Sequence, residues 1–278
     1  MKNQGRMLDR YQALREIGRG GMGTVFEAID CATGEKVAVK ILRKALQANP
    51  VARQRFRREL EAARRVDHPA IIKIREWGED PDQTYIVMEF VDGQPLSKLL
   101  SPIAQYPLVT TVRIVRQVAS GLASVHRAEL VHRDVKPDNI MVLKDMAVKL
   151  SDFGVAKVPD SSLTQAGEIW GTLQYMSPEQ VQGRLDIDGK SDMFSLGVVL
   201  FEMLTGRMPF EGEGMGAALI RRIIENPAPR ASSLKPEIPA AFDAIVARAL
   251  AKNPAARFGD CDEFAQALKN ATPHLRVA

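Results

Sequence analysis

His132, Arg133, Asp134, Lys136 and Asn139 fall within eight consecutive positions between Val131 and Ile140, and Asp152 follows eighteen residues after Asp134. That set suits the transfer of a phosphoryl group. Such a transfer asks little covalent chemistry of a protein. It asks that the nucleophile be aligned, a metal be held and the developing charge be neutralised. Asp134 can accept the proton of an attacking hydroxyl, and Lys136, two residues on, reaches the same space to steady the transferring phosphate. Asn139 offers a neutral oxygen and Asp152 a charged one to Mg²⁺, which prefers oxygen ligands and keeps several waters. Beside Asp152, Phe153 is an apolar anchor and Gly154 gives the chain freedom to turn.

These residues need elements to position them. The sequence "IMVLKDMAVKL" (140–150) reads as a hairpin that brings Asn139 and Asp152 together. Near the start, "IGRGGMGTV" (17–25) holds Gly18, Gly20 and Gly23, whose backbone can approach phosphate oxygens closely. A glycine motif of this form is weak alone, since dinucleotide-binding folds share it. Those folds want a helix directly after the glycines. Here β-favouring Thr24, Val25 and Phe26 follow, then a turn at "CATGE" and a second strand, "VAVKIL". The expectation is a hairpin covering phosphates. On the second strand Val37 and Val39 share one face and Ala38 and Lys40 the other, so Lys40 lies under the glycines and needs a fixed partner.

The run "RQRFRRELEAARR" (53–65) carries six arginines. At helical spacing Phe56, Leu60 and Ala63 form an apolar stripe, and most of the arginines fall off it onto a solvated face. Glu59 sits at the stripe's edge and is the candidate partner of Lys40, whereas Glu61 points to the opposite side. The first ninety residues read mostly as strands and the chain beyond Leu96 as helices, with "DGQP" (92–95) as a dividing turn. "GEGMG" (212–216) reads as a loop opening the helix "AALIRRIIE". His68 and His126 have no metal-ligand partners near them in sequence and read as structural.

Composition sets the frame. The 278 residues are 45% hydrophobic and 26% charged, as in an ordinary globular protein. The longest apolar run, near Leu196 to Leu204, is too short to span a bilayer, and no signal segment opens the chain. A net charge of +4 is mild for a nucleic-acid binder. Cys31 and Cys261 make neither a disulfide framework nor a metal site, and point to a reducing, cytoplasmic setting.

With the glycine loop, V-A-V-K, a helix Glu, H-R-D-x-K-P-x-N, D-F-G and S-P-E in place of A-P-E all present in order, the chain resembles the eukaryotic-like serine/threonine protein kinases. "GRGGMGTVFEA", "YIVMEFVDG", "HRDVKPDNIM" and "SPEQ" look most like the bacterial branch. The resemblance implies an α+β, bilobal kinase fold over 11–270, with a small β-rich lobe (about 11–88), a hinge (about 89–93) and a larger α-rich lobe (about 94–270). Residues 271–278 would be a tail or the start of a linker.

The resemblance also implies roles. Ile17, Gly18, Arg19, Gly20, Gly21, Met22, Gly23, Thr24 and Val25 would roof the phosphates of ATP, and Lys40 would bind the α- and β-phosphates and pair with Glu59. Met88 would be the gatekeeper, Glu89, Phe90 and Val91 the adenine hinge, and Ala38 and Met141 the two sides of the base sandwich. Asp134 would be the catalytic base, with Asn139 and Asp152 holding Mg²⁺ or, alternatively, Mn²⁺. Lys136 and Thr172 fit Ser/Thr rather than Tyr specificity. His132 and Phe153 match the internal hydrophobic spine, Glu179 and Arg257 a buried ion pair, and Asp192 the acid that holds the catalytic loop. Asp138 stands where a small residue or Glu is frequent, and is expected to point away from phosphate.

Of the hydroxyls between Asp152 and Glu179, Thr164 matches an activating threonine, with Arg133 and Lys157 as partners for its phosphate. Protein substrates bearing Ser or Thr are implied, as is pairing of two copies through the smaller lobe. No nucleic acid is implied. Two other readings are a binding scaffold without turnover and a small-molecule phosphotransferase. The intact Lys40, Asp134, Asn139 and Asp152 argue against the first, and "GTLQYMSPEQ", a peptide platform, against the second.

Overall fold

Val37 and Val39 face one side of a strand and Ala38 and Lys40 the other, and the sheet around them keeps that division. The structure, a computed structural model, describes residues 6–7, 10–20, 23–42, 50–79, 83–100, 106–152, 172–214 and 216–272. The chain divides into two units, Met1–His68 with Ile72–Asp92, and Pro69–Ile71 with Gly93–Ala278.

In the first unit β1 (Arg6–Met7), β2 (Tyr11–Gly20), β3 (Gly23–Asp30), β4 (Lys36–Leu42), β5 (Ile74–Glu79) and β6 (Thr84–Glu89) form an antiparallel sheet in the order β1-β2-β3-β4-β6-β5. Tyr11, Ala28, Val37, Val39 and Val87 make one buried apolar cluster. In the other register Gly18 lies opposite Val25, and Val25 opposite Lys40. Two register shifts in β2, at Ala13/Arg15 and Glu16/Gly18, bend this hairpin and add twist. Gly23 is required where it stands, because a Cβ there would collide with the carbonyl oxygen of Ile41.

The helix α1 (Pro50–Arg64) buries Phe56, Leu60 and Ala63 and exposes Arg57, Arg58 and Arg64, as its stripe predicts. Glu61 departs from expectation. It is half-buried, and its Oε1 accepts a 2.7 Å hydrogen bond from the indole Nε1 of Trp77 on β5. Beside it Arg57 pairs with Glu79 and lies over the Trp77 ring, 5.9 Å from the centroid. The side opposite Glu59 therefore meets a strand edge rather than water alone.

The second unit begins with a strand where turn residues stand. Gly93–Pro95, expected to be turn, is a strand, β7, which with β8 (Ile140–Leu143) and β9 (Val148–Leu150) forms a sheet in the order β7-β8-β9. Pro95 is tolerated because β7 is an edge strand that can spare one donor. The helices that follow are α2 (Leu96–Leu99), α3 (Leu108–Arg127), α4 (Pro178–Val181), α5 (Gly189–Thr205), α6 (Ala217–Glu225), α7 (Ala231–Leu234), α8 (Ala241–Ala249) and α9 (Cys261–Asn270).

Helix α5 is buried on nearly every side, which a helix apolar all round requires. Asp188 caps its start through Lys190 N–H, and Gly206 ends it in the left-handed region at φ 73°. The loop before α6 is held by the guanidinium of Arg222, which donates to the carbonyls of Phe210, Gly212, Glu213 and Gly214. Among the described residues no helix is long and apolar enough to cross a membrane.

Candidate active site

Residues 131–136, between α3 and β8, have no regular secondary structure, so their backbone polar groups need other partners. Asp192, on the first turn of α5 and 1% exposed, supplies several. Its Oδ1 accepts from Arg133 N–H at 2.7 Å, and its Oδ2 from His132 N–H at 2.8 Å. The same Oδ2 meets Nε2 of His126 at 2.8 Å. These bonds hold Arg133 at φ 63°, a left-handed conformation that costs a non-glycine residue about 1–3 kcal/mol. The Arg133 carbonyl accepts from Gln180 Nε2 at 3.1 Å. Gln180 also closes a capping box with Ser177, which accepts from Gln180 N–H and donates its own N–H to Gln180 Oε1. Ser177, the departure from A-P-E, thus caps α4 as alanine cannot.

His132 is wholly buried. Its Nε2 donates to the Ser151 carbonyl at 2.9 Å and its Nδ1 accepts from Asp134 N–H at 3.3 Å, an arrangement that requires the neutral ring. Burial lowers its pKa, outweighing the charges of Asp192 and Asp134. The ring sets the distance between the Asp134 backbone and the strand leading to Asp152.

The acidic and basic side chains then converge. Asn139 Nδ2 donates to the Asp134 carbonyl at 2.7 Å and to Asp134 Oδ2 at 3.1 Å. Lys136 Nζ stands 3.4 Å from that Oδ2 and donates to Thr172 Oγ1 at 2.9 Å. The β8–β9 hairpin forms as the sequence implies, and Ser151, next to Asp152, donates both N–H and Oγ–H to the Asn139 carbonyl. Asp152 is half-buried at φ 59°, a second strained non-glycine residue. Asp138 is exposed. Its charge adds to burial in raising the pKa of Glu202, which accepts a 2.7 Å bond from Tyr175 Oη.

Glu179 and Arg257 meet as a bidentate pair at 2.6 and 2.9 Å, both buried. Nothing local in the sequence marks His126 as part of this assembly. Its partner lies 66 residues away.

In the first unit Lys40 is buried, at 8% exposed, and Glu59 is half-buried on α1. Ala38 lies opposite Met88, and Lys40 opposite Ile86. Ile17 is exposed, Arg19 pairs with Glu16, and Gly20 has open space where a side chain would stand. Thr24 and Val25 are half-buried on β3. Glu89 and Lys73 bond reciprocally, the Glu89 N–H to the Lys73 carbonyl and the Lys73 N–H to Glu89 Oε1, and Val91 is half-buried. Met141 is half-buried on β8 of the second unit. Gly21, Met22, Phe153, Lys157 and Thr164 lie outside the described residues.

Glu59→Gln should lower phosphoryl transfer at least about tenfold, because Lys40 would lose its orienting charge. Glu61→Gln should stay within about twofold, since a glutamine oxygen still accepts the Trp77 N–H, which a neutral acceptor serves adequately. Steady-state turnover of both variants checks this, and greater sensitivity at Glu61 would reverse the assignment.

The geometry is matched by likeness to known proteins. The family model described as "Protein kinase domain" matches residues 11–271. A probable serine/threonine-protein kinase PknB of Lactococcus lactis is 38% identical over 92% of this chain and 41% of its own length. The serine/threonine-protein kinase Pkn1 of Myxococcus xanthus is 39% identical over 96% of this chain and 39% of its own. The chain thus spans about two fifths of these relatives. The crystal structure of the Mycobacterium tuberculosis PknI kinase domain superposes with a TM-score of 0.77 at 30% identity, covering 98% of this chain and all of that one. A match running from Tyr11 on β2 to one residue beyond α9 takes in both units and the whole catalytic loop, and the chain belongs to the protein kinase domain family.

Proposed function

We propose that this chain is the catalytic domain of a serine/threonine protein kinase, which moves the γ-phosphate of ATP to Ser or Thr hydroxyls of proteins. The grouping of Asp134, Lys136, Asn139 and Thr172 carries the reading. Asp134 takes the hydroxyl proton on its carboxylate. Lys136, held between Asp134 and Thr172, presents its ammonium to the phosphate. Lys40, oriented by Glu59, binds the α- and β-phosphates beneath the loop from Ile17 to Val25. Ala38 lies against adenine, Met88 guards the space behind it, and Glu89 and Val91 are the adenine hinge.

The donor set suits a divalent cation. Asn139 commits its Nδ2 to Asp134, which turns its amide oxygen to other ligands, and Asp152 adds a carboxylate. These two oxygens would share the ion with the phosphates of the nucleotide. Mg²⁺ bound there would neutralise charge on the transferring group.

Incubating the protein with Mg²⁺, γ-labelled ATP and a generic protein substrate tests the reading. Label should enter Ser and Thr of the substrate, and the Lys40→Met variant should incorporate none. Label entering only small-molecule acceptors, or nothing, would overturn it.

Regulation through the segment after Asp152 belongs to the same proposal. Thr164 is its self-phosphorylation site, with Arg133 and Lys157 as partners for a group of about −1.5 to −2 charge. Thr164→Ala should slow substrate phosphorylation at least severalfold. Mass spectrometry locates the phosphate. Equal rates for Thr164→Ala and parent, before and after phosphatase treatment, would place the switch elsewhere.

A further inference from the structure

The arginines of α1 have no role in the chemistry above. Arg57, Arg58, Glu61, Ala62 and Arg65 line a groove of about 290 Å³ on the first unit. Ala62, whose side chain ends at Cβ, lines it with Arg58 four residues before and Arg65 three residues after, the latter one residue past the end of α1. Of the nearby carboxylates Glu61 and Glu79, only Glu79 is paired with a cation among the described residues, while Glu61 keeps its charge within the lining. Glu61 accepts the Trp77 N–H and Glu79 holds Arg57. Arg58 and Arg65 are exposed and have no carboxylate partner among the described residues.

We propose that this groove docks a protein segment bearing phosphoserine or phosphothreonine, with the phosphate between Arg58 and Arg65 and the chain beside it over Ala62. A phosphate monoester brings nearly two charges and three acceptor oxygens, and guanidinium forks match it through paired, charge-assisted bonds. A broad polyanion fits worse. Glu61 and Glu79 interrupt the basic surface, and the chain's net charge is only +4. The inference rests on the reading of the chain as a protein kinase, whose reaction generates such segments.

Trp77 gives a readout independent of turnover, because Arg57 and Glu61 touch both its ring and the groove. The sequence has two tryptophans, so Trp170→Phe leaves Trp77 as the sole indole fluorophore. The full chain carrying that change is titrated, without ATP, with phosphothreonine peptides of degenerate flanks. Saturable change in Trp77 emission is expected, with affinity falling at least about tenfold for the unphosphorylated peptides and for Arg58→Ala/Arg65→Ala. The double variant should keep parental transfer to a generic substrate. Equal affinity with and without phosphate, no loss in the double variant, no saturable signal, or equally tight binding of short duplex DNA or anionic vesicles would overturn the proposal. A chain that binds the phosphopeptide but transfers no label would instead count against the kinase reading.

Discussion

Asp134→Asn should leave a folded protein with no measurable phosphoryl transfer. Asparagine keeps the size of the side chain and can accept from Asn139 as Asp134 Oδ2 does at 3.1 Å, so the local hydrogen bonding survives. It cannot take up the hydroxyl proton, and it removes the negative charge beside the Lys136 ammonium. Loss of a positioned general base costs about 10²–10⁴-fold, and loss of charge complementarity adds to that. Asp152→Asn should be equally inactive and should in addition weaken the dependence of nucleotide binding on Mg²⁺. Single-turnover transfer, with circular dichroism to confirm folding, makes the measurement. Turnover of either variant within about tenfold of the parent would remove that residue from the mechanism.

The largest effect on stability is expected at Arg257. Its guanidinium is bidentate to Glu179 and also donates to the carbonyls of Ala251, Lys190 and Lys252, while lying 4.9 Å from the centre of the Phe194 ring. Ser191 Oγ adds a bond to Glu179 at 2.5 Å. Arg257→Met would leave the Glu179 carboxylate buried with no countercharge, at a cost of about 3–5 kcal/mol. Lysine at this site should recover little, because it cannot reproduce the fork.

The pH dependence separates charge from packing. Burial alone would raise the Glu179 carboxyl, but its bonds to Arg257 and Ser191 together hold it below the ordinary value of 4.5. A carboxyl lowered in the folded state stabilises above its unfolded value, and that contribution fades as pH falls through the folded one. The gap in unfolding free energy between parent and Arg257→Met should therefore narrow as the solution is acidified below pH 4.5. A gap independent of pH would mean that Arg257 acts through packing alone.

Much of this arrangement could be read from sequence because it depends on local patterns. Alternation puts Val37 and Val39 on one face, which the structure buries, helical spacing gives the stripe of Phe56, Leu60 and Ala63, and the interval from Asn139 to Asp152 implies the hairpin that forms. What stayed hidden depends on partners distant in the chain. Gly93–Pro95 carries turn residues, and only β8 makes it a strand. His126 looks like any helix histidine until Asp192 arrives beneath it. The indole that engages Glu61 lies 16 residues beyond it on β5, out of reach of any helical periodicity.

Asp192 also has a consequence for motion. The amides of His132 and Arg133 sit in an irregular loop, where exchange with solvent hydrogen would ordinarily be fast, yet both are bonded to a carboxylate on the buried helix α5. Their exchange requires that α5 and the loop part, an opening on the scale of the whole unit rather than of a loop. In deuterium these two amides should persist alongside those of the α5 interior, making the catalytic loop, by exchange lifetime, part of the protein's slowest-opening core.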